Sequence, residues 1–475
     1  MLPDSFVQRM QMQLPTDEWE AFLIALQTDP IVSVRANPAK ITSLPGESVP
    51  WHPHGRYLET RPRFVEDPLF HAGAYYVQEA SSMLVHAMLP AMDRPMRILD
   101  LCAAPGGKSS LVAAAMSSDS VLVSNEVIFS RAKTLAENMT RWGNPNVIVT
   151  HADPREFSQL VGMFDLILVD APCSGEGMFR KDAGAIDEWS EENVAICAAR
   201  QERILADVMP ALAPGGSIIY STCTYAESEN GQRVASLLEQ YPSLRPAPAD
   251  FPESWGAAPV LMYEDKAYAY QCYPHRLKGE GLFITRLQDM REPETWEASS
   301  SPSFSSSKSK QRKGKKPKRR SNKSRPSQDS VVNIPELLQL WLGEHSETLG
   351  LKAEVHEEML KVFTAPVSNT FPALQQNRIH IIQAGITVGK LHRKGLNPSH
   401  ELALSSLVTT QAPVLPLTLE QALRYLKKED LPDSDAAIGF HLAQYKDVNL
   451  GWVKGISGRW KNYLPINWRI RTNIS

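Results

Sequence analysis

The chain predicts an α/β fold: a Rossmann-like core of strands and helices wound on both faces of a parallel sheet. Three observations lead there. Short apolar runs alternate with helical stretches, the order of repeated βαβ units. One run, residues 164–170, is Leu, Ile and Val on both faces, as a central buried strand requires. A glycine pair, Gly106-Gly107, separates the first strand of the series from the first helix, where such sheets bind ligands.

The elements follow in chain order. Residues 1–70 read as a small α+β N-terminal extension. It is helical over 6–12 and 19–26, has a strand at 31–35, and is proline-rich to Pro62. Residues 71–290 form the core. Strands are expected at 96–100, 121–126, 147–151, 164–170, 217–221 and 282–287. Helices are expected at 108–116, 128–142 and 193–212, the last ended by Pro214-Gly-Gly216. Residues 291–330 are rich in Ser, Lys, Arg and Pro; too few apolar groups offset chain entropy, so a disordered basic linker is expected. Residues 331–415 form an intermediate α+β region, starting with a helix at 334–342. Residues 416–475 end in a segment that interleaves aromatics with Lys454, Arg459 and Lys461.

At 475 residues the chain exceeds one core; a prior of about 150 residues per domain gives roughly three. Five scattered cysteines, an odd number, make no disulfide framework. The start has no apolar leader, and no apolar run approaches the roughly 20 residues of a membrane span. A monomer in a reducing cytoplasm, away from membranes, is expected. Net charge is −3, but unevenly spread. Between Lys308 and Arg325, 11 of 18 residues are Lys or Arg and none is acidic. The rest of the chain holds 39 basic against 53 acidic residues. Charge concentrated in one tether suits phosphates.

The loop Asp100-Leu-Cys-Ala-Ala-Pro-Gly-Gly-Lys108 has the shape of a nucleotide-type cofactor site. Glycines let backbone N–H groups approach a ligand, and the helix N-terminus adds partial positive charge. Glu126 ends the next strand, where a carboxylate reaches two ribose hydroxyls. Asp153 follows the third strand, placed for an adenine amino group or for structure. The P-loop pattern fails because Cys102 stands where its first glycine belongs, and Gly-x-Gly-x-x-Gly is absent. S-adenosylmethionine fits the loop better than a nucleoside triphosphate or a dinucleotide.

Two cysteines lie just past the ends of predicted strands, Cys173 in Asp170-Ala-Pro-Cys-Ser-Gly and Cys223 in Ser221-Thr-Cys-Thr. In an open α/β sheet both positions face the ligand crevice. A thiolate is a strong nucleophile. Carbon 5 of cytosine is too electron-poor to attack a methyl sulfonium; a thiolate on carbon 6 makes it enamine-like. The thiolate must then leave, which gives a second thiol a task. Asp170 is placed to contact ring nitrogen 3 and the exocyclic amine. Cys102, Cys197 and Cys272 read as packing groups. A zinc site is not expected, since no Cys-x-x-Cys spacing occurs, and no other metal is called for.

These residues resemble the NOL/NOP/Sun family of RNA (cytosine-5) methyltransferases, and within it the bacterial 16S ribosomal RNA branch. The similarity is carried by Tyr76-Val-Gln-Glu-Ala-Ser-Ser-Met83, the 99–108 loop, Asp170–Asp182, Trp189-Ser190 and Tyr220–Thr224. Pro274-His-Arg276 and Gly279-Glu-Gly281 complete it. The resemblance implies Cys223 as nucleophile, Cys173 in product release, and S-adenosylmethionine contacts at Cys102, Ala103, Ala104, Pro105, Gly106, Gly107, Lys108, Glu126, Asp153 and Asp170. It implies a PUA-like, partly β-barrel RNA-binding module at the C-terminus. It also implies an RNA-contacting N-terminal extension, with Arg35, Asn37 and Lys40 as candidate backbone contacts. Lys181, Lys454, Arg459 and Lys461 are further RNA candidates. The expected partner is 16S ribosomal RNA, free or within the small subunit. The alternatives are a relative acting on tRNA or other rRNA, and a catalytically silent RNA-binding ribosome-assembly factor. Asp182-Ala183 stands where the family pattern has Asp-Pro, and the strongly basic linker is not part of that pattern.

Overall fold

The structure is a computed structural model that describes residues 2–292, 333–393 and 395–471. The expected linker, with its basic run at 308–325, lies outside the described residues apart from Arg291 and Glu292.

The central sheet has ten strands. We label β1 Arg97–Asp100, β2 Val121–Asn125, β3 Val147–His151, β4 Phe164–Asp170, β5 Leu212–Thr222, β6 Ala258–Tyr263, β7 Lys266–Cys272, β8 Leu282–Asp289 and β9 His380–Gln383. Their order is β6-β7-β8-β5-β4-β1-β2-β3-β9, and Leu244–Pro246 pairs with β8. β3-β2-β1-β4-β5 is parallel, as the βαβ reading requires. The sheet is nevertheless mixed: β8 runs antiparallel to β5, and β6 and β7 form a hairpin beyond it.

Strand order reverses between β1 and β4, where the carboxyl ends of two adjacent strands diverge. Asp100 ends one and Asp170 the other. A crevice therefore opens at that point. Helices α1 (Gly107–Ala115), α2 (Phe129–Trp142) and α3 (Glu191–Val208) cover the faces. α3 ends earlier than its pattern predicts, because Pro210 has no amide proton to extend it. β5 begins at Leu212 and runs through Pro214-Gly-Gly216, which acts as a strand irregularity rather than a turn.

Two N-terminal helices, Asp4–Gln13 and Thr16–Leu26, set Phe6, Met10 and Phe22 into a cluster with Phe179, Trp189, Tyr225 and Tyr273. That cluster lies under the cysteine loops. A four-stranded antiparallel sheet follows, ordered Glu47–Ser48, Gly55–Leu58, Val32–Ala36, Tyr75–Val77. The segment after 333 is not a free-standing unit. β9 extends the central sheet antiparallel to β3, and Val367, Leu374 and Ile379 join the main core. Sequence alone hides this, because β9 is short and lies far from its partner in the chain. The C-terminal part ends in a five-stranded half-barrel, ordered Val414–Pro416, Gly439–Tyr445, Val448–Ile456, Arg459–Asn462, Leu431–Pro432. Among the described residues no helix is long and apolar enough to cross a membrane.

Candidate functional site

The 102–108 loop turns at Gly106, whose φ of +112° favours glycine; a side chain there would meet Met139 Cε at 2.9 Å. α2 holds the loop from outside: Arg131 donates to the Ala104 carbonyl at 2.9 Å and Asn138 to that of Pro105 at 2.8 Å. Asp100 is fully buried. Ser109 donates to its Oδ2 at 2.6 Å, while Oδ1 has no partner among the described residues. Burial, eased in part by Ser109, pushes its carboxyl up to about 7. An orphaned buried acceptor beside a glycine loop calls for a donor from a ligand.

Glu126 is buried, accepts from Ile128 N–H at 2.9 Å, and lies 3.5 Å from Arg131 Nη1. Asp153 instead caps the turn that follows it, accepting from Arg155 N–H at 3.2 Å within a reciprocal pair with Glu156. The buried Asn125 was not singled out by the sequence. It donates to the Leu101 and Ala152 carbonyls at 3.1 and 3.0 Å and so ties the ends of β1, β2 and β3 together. A polar residue inside an apolar strand was the available signal. These residues fit S-adenosylmethionine. The orphaned Asp100 acceptor and the buried Glu126 carboxylate, flanking the glycine loop, are the groups that would hold it.

The two cysteine loops meet. Cys173 Sγ and Cys223 Sγ are 2.9 Å apart, and Cys223 N–H donates to Cys173 Sγ at 3.2 Å. Both cysteines are free and half-buried as residues, unlike Cys197 and Cys272, which are buried. The hydrogen bond to Cys223, with burial, holds the Cys173 thiol well above its ordinary value. Asp170 is anchored by Lys108 Nζ at 2.8 Å and Ser221 Oγ at 2.8 Å. Burial pulls the Lys108 ammonium down, but Asp170 and then Cys223 outweigh it and raise the pKa. Lys108 therefore stays charged beside the Asp170 carboxylate.

A polar frame beneath the loops went unnoticed in the sequence. The Glu229 carboxylate accepts from Ser174 N–H at 3.0 Å, Ser174 Oγ at 2.5 Å and Gln201 at 2.7 Å. Ser174 also bonds Thr224 at 2.9 Å, joining the residues just after each cysteine. Buried Glu176 accepts from Tyr225 N–H, Trp189 and Arg9, so an N-terminal helix is bolted to the same loops. Gly177 leaves no room for a side chain: a Cβ would fall 2.6 Å from the Gly281 carbonyl oxygen. Asp182 caps the helix Ala183–Glu188 through Gly184 N–H at 2.9 Å.

The N-terminal RNA candidates need correction. Arg35 is fully buried. It donates to Gln78 at 2.7 Å, to the Gly107 carbonyl at 3.1 Å and to Ser110 Oγ at 2.6 Å. Asn37 is buried and donates to the Gly73 and Trp142 carbonyls at 3.0 and 2.9 Å. Lys40 Nζ donates to the Ala72 and Arg141 carbonyls at 2.7 and 2.6 Å. All three brace the cofactor helix and the C-terminus of α2 rather than reach outward toward a phosphate. Lys181, Arg459 and Lys461 are exposed and Lys454 is half-buried.

Three family models match the chain. One described as 16S rRNA methyltransferase RsmB/F covers residues 87–288. One described as the N-terminal domain of 16S rRNA methyltransferase RsmF covers 2–80. One described as the methyltransferase RsmF PUA domain covers 412–470. The ribosomal RNA small subunit methyltransferase F of Erwinia tasmaniensis is 31% identical over 98% of this chain and 96% of its own. The protein of that name in Shigella boydii is 31% identical over 98% and 95%. A crystal structure of a methyltransferase homolog from Pyrococcus horikoshii shares 27% identity with a TM-score of 0.50, over 58% of this chain and 92% of that one. With this identity sustained over nearly the full length of both chains, the protein belongs to the ribosomal RNA small subunit methyltransferase F family.

Proposed function

We propose that this protein methylates carbon 5 of a cytidine in 16S ribosomal RNA through a covalent bond between Cys223 and carbon 6 of the base. Family membership supports methyl transfer to ribosomal RNA, and S-adenosylmethionine is the cofactor. The observation that carries the reading is the pair of sulfurs 2.9 Å apart at the ends of β4 and β5, beside the Lys108–Asp170 pair.

The chemistry divides between the two thiols. Cys223 carries the attack: its sulfur bonds carbon 6, and the C5–C6 π pair moves onto carbon 5. Asp170, fixed by Lys108 and Ser221, accepts from the exocyclic amine, which steadies the adduct. S-adenosylmethionine supplies the methyl group that carbon 5 accepts. Cys173 then takes the proton from carbon 5. The C5–C6 double bond re-forms and the Cys223 sulfur is expelled as thiolate. The main cause of the raised Cys173 pKa is its hydrogen bond to Cys223. A carbon-bound Cys223 no longer attracts that proton, so Cys173 ionises more readily when a base is needed.

Cys173→Ala incubated with 16S RNA and S-adenosylmethionine should accumulate a protein–RNA adduct that survives a denaturing gel. Cys223→Ala should give no adduct and no methylation while still binding the cofactor. Adduct in Cys223→Ala, and none in Cys173→Ala, would reverse the roles. Bisulfite mapping of RNA from a deletion strain should lose a protected cytosine in 16S RNA; a loss confined to tRNA or to 23S RNA would overturn the substrate.

A further inference from the structure

A second cleft lies outside the catalytic crevice, between the N-terminal sheet and α2. It holds about 330 Å³ and is lined by Phe64, Phe70, Tyr76, Arg61, Arg141 and Asn138, among others. Phe64 and Phe70 stand 6.2 Å apart, centroid to centroid, and each lies about as far from Tyr75. The Arg61 guanidinium lies 5.5 Å from the Phe64 ring. That of Arg141 lies 5.6 Å from Phe70 and 5.1 Å from Trp468 at the end of the half-barrel.

Two features point to a ligand. The aromatic rings of Phe64 and Phe70 are only partly covered by protein. Arg141 Nε is buried yet has no hydrogen-bond partner among the described residues, although its other nitrogens engage Asn138 and Glu137. A buried unpaired donor costs roughly 1–3 kcal/mol and calls for an acceptor. Flat faces, a guanidinium at the mouth and an unpaired donor together match one molecule class: a flat heteroaromatic ring with acceptor edges and an attached anion. The volume is at the small end of ligand sites, room for one unit rather than a strand.

We propose that this cleft takes one unpaired RNA nucleotide, its base stacked on Phe64 and bordered by Phe70, and its phosphate toward Arg61. The inference rests on RNA being the substrate. The cleft also touches the cofactor loop. Asn138 holds the Pro105 carbonyl, and the Tyr76 ring lies 3.4 Å from where a Gly107 side chain would begin. Two of the lining residues, Asn138 and Tyr76, therefore border the cofactor loop as well.

The test is fluorescence anisotropy of a labelled single-stranded oligoribonucleotide with the full chain. Arg61 is exposed, so Arg61→Ala leaves folding intact. It should weaken binding about fivefold, and Phe64→Ala by about fivefold or more, the usual range for one stacked base. Phe64→Tyr should restore it. An oligonucleotide of abasic residues should bind wild type no better than it binds Phe64→Ala. The cleft assignment is overturned if Arg61→Ala and Phe64→Ala stay within twofold of wild type, or if abasic strands bind wild type as well as intact ones do. Adduct formation by Cys173→Ala is scored separately. Its failure with cleft binding intact would sink the catalytic reading alone; the converse would sink the cleft alone.

Discussion

At the N-terminal end Arg35 and Lys40 aim inward; at the C-terminal end Lys454, Arg459 and Lys461 line the outside of a half-barrel. Arg35 is sealed against the first turn of the cofactor helix, with the Trp142 ring 4.7 Å from its guanidinium. Lys454 and Lys461 sit opposite each other on adjacent strands. Their ammonium groups lie over the Phe440 and Tyr463 rings at 4.7 and 5.8 Å. Like charges directly opposite each other repel. The same residue types therefore serve as struts where backbone carbonyls surround them and as a candidate phosphate face where solvent does. Charge in a sequence does not distinguish the two; burial does.

The largest effect is expected at Arg35. Arg35→Ala leaves a cavity and strips Gln78 and Ser110 of a buried partner, at roughly 3 kcal/mol of stability. Because Arg35 grips Gly107 and Ser110, S-adenosylmethionine binding should fall with it. Arg35→Met keeps most of the volume and should lose cofactor affinity with a smaller drop in stability. Urea unfolding and calorimetric titration of the cofactor give both quantities. Arg459→Ala, exposed and 3.4 Å from Asp430, should change stability by under about 0.5 kcal/mol. Equal losses at Arg35 and Arg459 would break the contrast.

Lys40 offers a pH test of the same contrast. Burial pushes its ammonium down to about 7, from an ordinary value of 10.5. Between those values the unfolded chain binds more protons than the folded one, so stability rises with pH. It falls again as pH drops from 10.5 toward 7, and is flat below that because both states are protonated. Asp100 acts in a separate window with the opposite slope: raised to about 7 from 3.8, it costs stability as pH rises through that range. Arg35, lowered to about 9, contributes only above that pH. Lys428 is lowered from 10.5 as well, so the comparison with Lys40→Met, made on urea midpoints between about pH 7.5 and 9, is what isolates Lys40. Wild type should gain stability across the interval relative to Lys40→Met. Parallel curves for the two proteins would mean that Lys40 keeps its charge in the fold.

Much of the catalytic unit was legible in the letters. β3 and β4 match their apolar runs, and the cofactor loop and both cysteines sit at strand ends, because βαβ patterning and small-residue turns are local signals. What stayed hidden is long-range. Pairing of β9 with β3 joins residues more than 200 positions apart. Glu229 reads as one more acidic residue until Ser174 and Gln201 close around it. Arg35 next to Asn37-Pro38 reads as a basic arm, since no local pattern tells a sealed guanidinium from a solvated one.

The smallest effect on stability, and the clearest on binding, is expected at the half-barrel. Lys454 and Lys461 face each other across two strands, so an incoming phosphate relieves repulsion as well as adding attraction. The double variant Lys454→Ala/Lys461→Ala removes two cations from one patch. Its unfolding midpoint should match wild type, because neither side chain is sealed in the core. Its affinity for 16S RNA should fall, and the slope of log affinity against log salt should shrink by about one for each phosphate left unpaired. Arg35→Ala, by contrast, should lose RNA affinity only in proportion to the folded fraction, with the slope unchanged. A double variant that keeps the wild-type slope would move the RNA path off this face, and leave the two ends of the chain alike in contributing structure alone.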